Sequence, residues 1–84
     1  MREPSLVSVK VSAPLQLCLV YETGEVKLFD VSPYAHGSWF GQLQNPSYFQ
    51  TVHVLPGGHG IEWADGQDIA PHELYELSVL LSHE

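Results

Sequence analysis

Apolar and polar residues alternate over the first third of the chain, and this pattern predicts a β-sheet. Valines alternate with serine and lysine from Leu6 to Ser12, as in a strand with one buried face. A second strand, from Leu15 to Tyr21, is apolar on both faces, which is typical of a strand inside a sheet. A third strand, from Val26 to Val31, follows a short turn that contains Gly24. The second and third strands are therefore predicted to form a β-hairpin.

The pattern changes after Asp30, where three helix-start signals follow one another. Ser32-Pro33, Ser38 and Asn45-Pro46 each place a capping residue before a helical position, and glycines separate them. We therefore predict short, broken helices in the middle of the chain. Their large apolar residues are expected to cover the sheet as part of the core: Trp39, Phe40, Leu43, Tyr48 and Phe49.

The last third of the chain predicts a second hairpin and a closing helix. The hairpin joins Thr51 to Leu55 with Ile61 to Trp63 across a glycine-rich turn, and Asp65-Gly66 signals a further turn. From Pro71 to His83 the leucines follow helical spacing, which predicts one C-terminal amphipathic helix. The expected fold is α+β in a single domain over residues 1–84. It has a small, mostly antiparallel sheet of four to five strands, short helices in the middle and one C-terminal helix.

The charge balance narrows the choice of partners. Ten acidic and three basic side chains in 84 residues give a formal net charge of -7, a field that repels phosphate backbones and attracts basic surfaces. A chain this short also leaves much of its surface exposed unless a partner covers it. We therefore predict a protein partner, either a small basic protein or a second copy in a dimer, and no direct contact with nucleic acid.

Two further features bear on the compartment. No apolar stretch approaches the roughly 20 residues of a membrane span, so no membrane association is expected. Cys18 is the single cysteine and lies in an apolar run, where a buried, reduced thiol is expected. Both features favour a cytoplasmic location.

Candidate chemistry is sparse. The histidines that could meet the aspartates as metal ligands match no compact ligand spacing, and the nearby carboxylates have structural uses in turns and at helix starts. We therefore predict no enzymatic activity, no catalytic residue, no metal and no cofactor. The main alternative is a small-molecule or metal-binding cleft near Trp63. The residues considered for metal or acid–base chemistry are His53, His59, His72, Glu62, Asp65 and Asp68.

Three segments resemble a known family. Residues 26–34 (VKLFDVSPY), 43–49 (LQNPSYF) and 63–76 (WADGQDIAPHELYE) resemble the bacterial family catalogued as domain of unknown function 2442, and the likeness runs from about Val7 to Ser78. The resemblance implies a small α+β domain with no established activity, whose relatives occur in toxin–antitoxin-like gene pairs. An antitoxin-like role, as the acidic partner of a small basic protein, is the hypothesis that follows.

The resemblance also marks motif positions with an expected structural role. Trp63 is expected to anchor the last strand against the closing helix, Gly66 to permit the turn, and Asp68 to tie the loop to the helix start. Gln67 stands where the family pattern has a small or apolar residue. The full set of motif positions is Asp30, Pro33, Pro46, Phe49, Trp63, Gly66, Asp68, Leu74 and Tyr75.

Overall fold

The computed structural model describes residues 3–83, and within them the chain forms seven β-strands and three short α-helices. This arrangement confirms the α+β class. The strands are β1 (Leu6–Ala13), β2 (Gln16–Tyr21), β3 (Glu25–Asp30), β4 (His53–Val54), β5 (Ile61–Glu62), β6 (Asp68–Ile69) and β7 (Val79–His83), and the helices are α1 (Gly37–Phe40), α2 (Pro46–Phe49) and α3 (Pro71–Leu77). Short 3-10 turns at Ser32–Tyr34, Gly41–Gln44 and Pro56–Gly58 connect them.

The strands divide into two antiparallel sheets. The larger sheet has the order β1-β2-β3-β7, and the smaller has the order β4-β5-β6. Both predicted hairpins are present, because β2 pairs with β3 and β4 pairs with β5. The larger sheet has the predicted four antiparallel strands, but the second sheet, with three further strands, was not predicted. Strand β6 has only two residues, too few for an alternating pattern to reveal it.

The predicted helix from Pro71 to His83 is corrected by the structure. Helix α3 ends at Leu77, and Ser78 adopts an extended conformation. The chain then becomes β7, which pairs antiparallel with β3. A short apolar run such as Val79 to Leu81 fits a helix or a strand equally well. Pairing decides the outcome, because β7 satisfies backbone groups on β3 that would otherwise form a bare sheet edge.

The core lies on one face of the larger sheet, called here the inner face. The side chains of Leu17, Leu19 and Phe29 point to it and are at most 1% exposed. The middle helices, the smaller sheet and α3 cover this face. Their buried contributions come from Leu43, Phe49, Ile61, Trp63, Ile69 and Leu74.

Helix α3 is attached to the inner face by polar contacts as well as by Leu74. The buried Lys27 ammonium donates a hydrogen bond to the Tyr75 carbonyl oxygen at 2.6 Å and lies 3.8 Å from the centre of the Tyr75 ring. The Tyr75 hydroxyl donates to the Glu25 carboxylate. These contacts satisfy a lysine that would otherwise be costly to bury.

The turn after β3 is organised by Asp30. Its Oδ1 accepts the Ser32 backbone N–H at 2.9 Å and the Ser32 hydroxyl at 2.6 Å, and these hydrogen bonds hold the pKa of the Asp30 carboxyl below its ordinary value. Pro33 occupies the start of the 3-10 turn that follows. The first two predicted caps, Ser32 and Ser38, are wrong, because Val31 and His36 precede the 3-10 turn and α1, and neither makes a side-chain capping bond. At the third predicted helix start, the Asn45 side chain caps α2 by accepting the Ser47 N–H at 3.0 Å, and Pro46 is the first helical residue.

Candidate functional site: the acidic hairpin and its cleft

The hairpin formed by β5 and β6, called here the acidic hairpin (Glu62 to Asp68), turns tightly between its strands. The Trp63 N–H donates to the Gln67 carbonyl at 2.8 Å, and the Gly66 N–H donates to the Trp63 carbonyl at 3.0 Å. Gly66 has a φ of 94°, a left-handed conformation that residues with a Cβ atom rarely adopt. The turn presents Asp65 to solvent.

Gln67 is the buried centre of this region. Its side chain is 0% exposed, and its Oε1 accepts the Tyr48 hydroxyl at 2.5 Å. Its Nε2 donates to the Trp39 carbonyl at 2.8 Å and to Gln42 Oε1 at 3.1 Å. A buried amide needs such partners. Gln67 therefore ties the acidic hairpin to the middle helices.

Trp39 lies beside this network and is 46% exposed. The expectation that it belongs to the buried layer is therefore wrong. Its indole N–H donates to Asp65 Oδ2 at 3.1 Å, and its ring packs edge-on against Phe40 at 5.2 Å. A sequence signal was available. Neighbouring residues on a helix point in different directions, so a four-residue helix that turns Phe40 inward leaves Trp39 outside.

An open cleft of about 550 Å³ lies between the middle helices and the acidic hairpin. The Tyr48 hydroxyl, which belongs to the cleft wall, also accepts the Asp65 backbone N–H at 2.8 Å. Asp65 is therefore held at both its backbone and its carboxylate. Carboxylate, amide and phenol oxygens beside an exposed indole suit a cationic group. The lining residues are Gln42, Asn45, Tyr48, Ala64 and Asp65.

Among residues 3–83, no lysine or arginine forms an ion pair with the carboxylates of the acidic hairpin. Glu62 and Asp68 lie directly opposite each other on neighbouring strands, where like charges repel. On the other side of Glu62, His53 Nε2 lies 3.2 Å from Glu62 Oε1. This is the sole ion-pair contact among residues 3–83. The acidic hairpin therefore projects a largely uncompensated negative field.

A comparison with known families adds an assignment. The family described as "Protein of unknown function (DUF2442)" matches residues 6–79 of the 84-residue chain. The chain belongs to this family. No curated protein and no solved structure matches it. The description of DUF2442 assigns no function to its members.

Two of the DUF2442 motif positions, Phe49 and Trp63, pack against each other in the core. Trp63 is 0% exposed, stacks on Phe49 with ring centres 5.7 Å apart, and donates its indole N–H to the Phe49 carbonyl at 3.0 Å. We expected its neighbour to be the closing helix, but these partners lie in α2. A buried Trp63 supports the cleft from behind and does not line it.

Asp68 is placed differently from the expectation. It is an exposed residue of β6, and the residue that precedes α3 is Ala70, which makes no side-chain capping bond. Pro71, the first residue of α3, removes one N–H that a cap would have to satisfy. The loop between β6 and α3 is therefore not tied by the Asp68 carboxylate.

The histidines that were considered as metal ligands are dispersed. His53 contacts Glu62, His59 lines a separate polar pocket with Glu3 and Glu22, and His72 is exposed on α3. Within residues 3–83, no group of three or more histidine, cysteine or carboxylate side chains is arranged to hold a metal ion. The same residues contain no helix long and apolar enough to cross a membrane.

Proposed function

We propose that this chain is a protein-interaction module that binds a basic partner protein through the acidic hairpin and its cleft. In its most specific form, it is the acidic, antitoxin-like member of a pair with a small basic protein. The observation that carries this proposal is the fixed pairing of the Asp65 carboxylate with the exposed Trp39 ring.

This pairing suits an arginine or lysine side chain of the partner. A guanidinium group binds a carboxylate and stacks on an aromatic ring at the same time, and Trp39 and Asp65 offer both groups side by side. The Gln67 network already orders them, so little conformational entropy remains to be lost on binding. Tryptophan is also among the residues that most often dominate interface energies.

The charge of the whole chain supports the same kind of partner. A net charge of -7 accelerates encounter with a basic protein and slows encounter with an acidic one. Because the acidic hairpin is exposed, its contribution should weaken as ionic strength rises. Binding that depends on salt is therefore part of the proposal.

A peptide titration tests the cleft directly. We expect an oligo-arginine peptide to shift the NMR signal of the Trp39 indole N–H and to leave that of the buried Trp63 nearly unchanged. Asp65→Asn keeps an acceptor for the indole but removes the charge, and it should weaken binding about tenfold, roughly 1.4 kcal/mol. Glu76→Gln removes the same charge from an exposed position on α3 and serves as the matched control. Equal affinities for both variants would refute a role for the cleft.

Co-purification of the full chain from its native cells tests the partner. We expect a basic protein at one-to-one stoichiometry, retained by Glu76→Gln and lost from Asp65→Asn at moderate salt. A chain that is strictly monomeric and carries no stoichiometric partner would contradict the interaction module itself.

A small-molecule function is the second candidate, and the size of the cleft favours it. A volume of about 550 Å³ lies within the range of ligand pockets, roughly 300–1,000 Å³. A thermal-shift screen over cationic metabolites and divalent metals tests this candidate, since a ligand of the native state raises the melting temperature. A flat response across the panel, with an active peptide titration, would leave protein binding as the function of the cleft.

A further inference from the structure

The second face of the larger sheet carries an apolar patch that the domain does not cover. In register, Cys18 lies beside Leu28 and Leu28 beside Val79, while Val20 lies beside Val26. Cross-strand neighbours share a face, so these five side chains form one continuous surface. We call this surface the outer face.

Burial distinguishes the outer face from the inner face along the same strands. On β2 the inner-facing Leu17, Leu19 and Tyr21 are at most 3% exposed. Cys18 and Val20, which alternate with them, are only partly buried, and Val79 at the sheet edge is 64% exposed. None of the five side chains of the outer face packs against the hydrophobic core formed by residues 3–83. The expectation of a buried Cys18 thiol therefore needs correction, since this cysteine is partly accessible.

The outer face is also nearly free of charge in a strongly acidic chain. Its polar neighbours include Ser8, Lys10 and Ser82, which pair with Val20, Cys18 and Val26 respectively. The carboxylate on this side of the sheet is Asp30, which pairs with Gln16 at the strand end. The remaining described carboxylates project from other parts of the molecule. An apolar sheet face without a carboxylate cluster can approach an identical face despite a charge of -7 on each chain.

We infer that the outer face is the interface between two copies of this chain. A two-fold arrangement would stack the two larger sheets at about 10 Å, as in a β-sandwich. Lys10 and Asp30 have opposite signs, so a two-fold axis can place one near the other across the interface. The occupant is a second copy because a basic partner finds almost no carboxylate here, whereas an identical neutral face is complementary.

The area of the outer face sets the expected strength of the dimer. Four strands about 4.8 Å apart and about 20 Å long give a footprint of roughly 400 Å² per chain. Burial of about 800–1,000 Å² in total lies below the size of stable interfaces. We therefore expect a reversible dimer with a dissociation constant on the order of 100 μM.

Sedimentation of the full chain over a wide concentration range tests this inference. Wild-type protein should pass from monomer to dimer, and Val26→Lys should raise the dissociation constant at least tenfold, because it sets two ammonium groups against apolar surface. Ser47→Lys adds the same charge at an exposed position on α2 and should dimerise as the wild type does. A wild-type chain that stays monomeric at all concentrations overturns the inference.

Two further measurements separate the outer face from other interfaces. Leu80→Lys places a charge on the exposed edge strand β7, at the position that pairs with the inner-facing Lys27, and should leave the dimer intact. Loss of the dimer in Leu80→Lys but not in Val26→Lys would mean edge-to-edge pairing and would overturn the inference. The native Cys18 thiol supplies a test that needs no variant. Its alkylation rate should fall as the wild-type concentration rises, and a constant rate in a dimerising sample would show that the outer face stays open.

This inference stands apart from the binding of a basic partner. Asp65→Asn alters the cleft and should not change the sedimentation result. Failure of one proposal therefore leaves the other intact.

Discussion

The two sheets of this domain are built in different ways and leave different surfaces unsatisfied. The smaller sheet is tied to its neighbours by the buried Gln67 amide and carries opposed carboxylates outside. The larger sheet has an apolar core on its inner face and a nearly uncharged apolar patch on its outer face. Within residues 3–83, the carboxylates of the smaller sheet have no lysine or arginine partner, and the outer face of the larger sheet does not belong to the packed core. A basic partner suits the first, and an identical copy suits the second.

The difference also predicts how each region responds to substitution. An apolar core loses stability in proportion to the volume that is removed. A buried polar network loses stability when one partner disappears and the others are left unpaired. The strongest substitutions should therefore be those that remove core volume, followed by those that open the network, and the weakest should be those that alter exposed charges.

Trp63→Ala should have the largest effect, because Trp63 is the largest of the fully buried side chains. Its side chain is fully buried against Phe49, and we expect a loss of about 3–5 kcal/mol in the free energy of unfolding. Urea denaturation measures this loss. Trp39→Ala is the control, since Trp39 is 46% exposed and should cost less than about 1 kcal/mol. Similar midpoints for the two variants would contradict the placement of the two tryptophans.

Gln67→Leu should have the next largest effect. The substitution keeps a side chain of similar volume. It leaves the Tyr48 hydroxyl and the Trp39 carbonyl without the hydrogen-bond partner that Gln67 gives them. We expect a loss of about 1–3 kcal/mol in urea denaturation and a broadened Trp39 indole N–H signal, because the cleft wall loses its support.

Gln50→Leu provides the comparison for this prediction. Gln50 is exposed at the end of α2, so the substitution should change stability by less than about 0.5 kcal/mol. If Gln67→Leu were as mild as Gln50→Leu, the cleft would not depend on the buried network, and its preorganisation would have no basis.

Trp63 and Gln67 show what the sequence could and could not predict. The pattern of apolar residues and turns predicted β1 to β3 and the hairpin of β2 and β3, since each strand is long enough for its pattern to be recognised. The resemblance drew attention to Trp63 and Gly66, and in the structure Trp63 is fully buried and Gly66 has a left-handed backbone conformation. Gln67 looked like a departure from the pattern, because its partners come from distant segments and become neighbours only in the folded chain. Hydrogen bonds between segments 19 to 28 residues apart leave no local signal.

The C-terminal segment illustrates a second limit. The spacing of Leu74, Leu77 and Leu81 predicted a helix to His83, yet the strand begins at Val79. The decision rests on β3, whose edge is free to accept another strand. Tertiary pairing overrides local periodicity in short apolar runs. The outer face escaped prediction for a related reason, because an apolar β2 indicated burial on both sides, whereas residues 3–83 bury only the inner one.

Tyr34→Phe tests a hydrogen bond that joins the 3-10 turn after β3 to α3. The Tyr34 hydroxyl donates to the Glu73 carboxylate on α3. Burial, followed by this hydrogen bond and the charge of Glu73, raises the Tyr34 pKa to about 12. Loss of the hydrogen bond should cost about 0.5–1.5 kcal/mol at neutral pH, less than the opening of the Gln67 network.

The pH dependence of this link follows from the direction of the shift. A folded-state pKa above the unfolded value of about 10 favours the folded chain below pH 10. This contribution is lost as pH rises from about 10 through about 12. Tyr34→Phe should therefore flatten the alkaline loss of stability in that window without abolishing it, because the pKa values of Tyr21 and Tyr75 are also raised. If the free energy of unfolding fell with rising pH as steeply in the variant as in the wild type, Tyr34 would not contribute to the alkaline loss of stability.

Asp68→Asn should have the smallest effect and the opposite sign. The side chain was expected to tie the loop to α3, and its loss would then lower the melting temperature. In the structure Asp68 instead faces Glu62 across the smaller sheet, so removal of its charge should stabilise the fold by about 0.2–0.5 kcal/mol. The gain should shrink at high salt, because the repulsion is exposed and screened. A lower melting temperature of Asp68→Asn at low and high salt would mean that the Asp68 side chain does tie the loop to α3. The repulsion between Glu62 and Asp68 would then no longer support a basic partner.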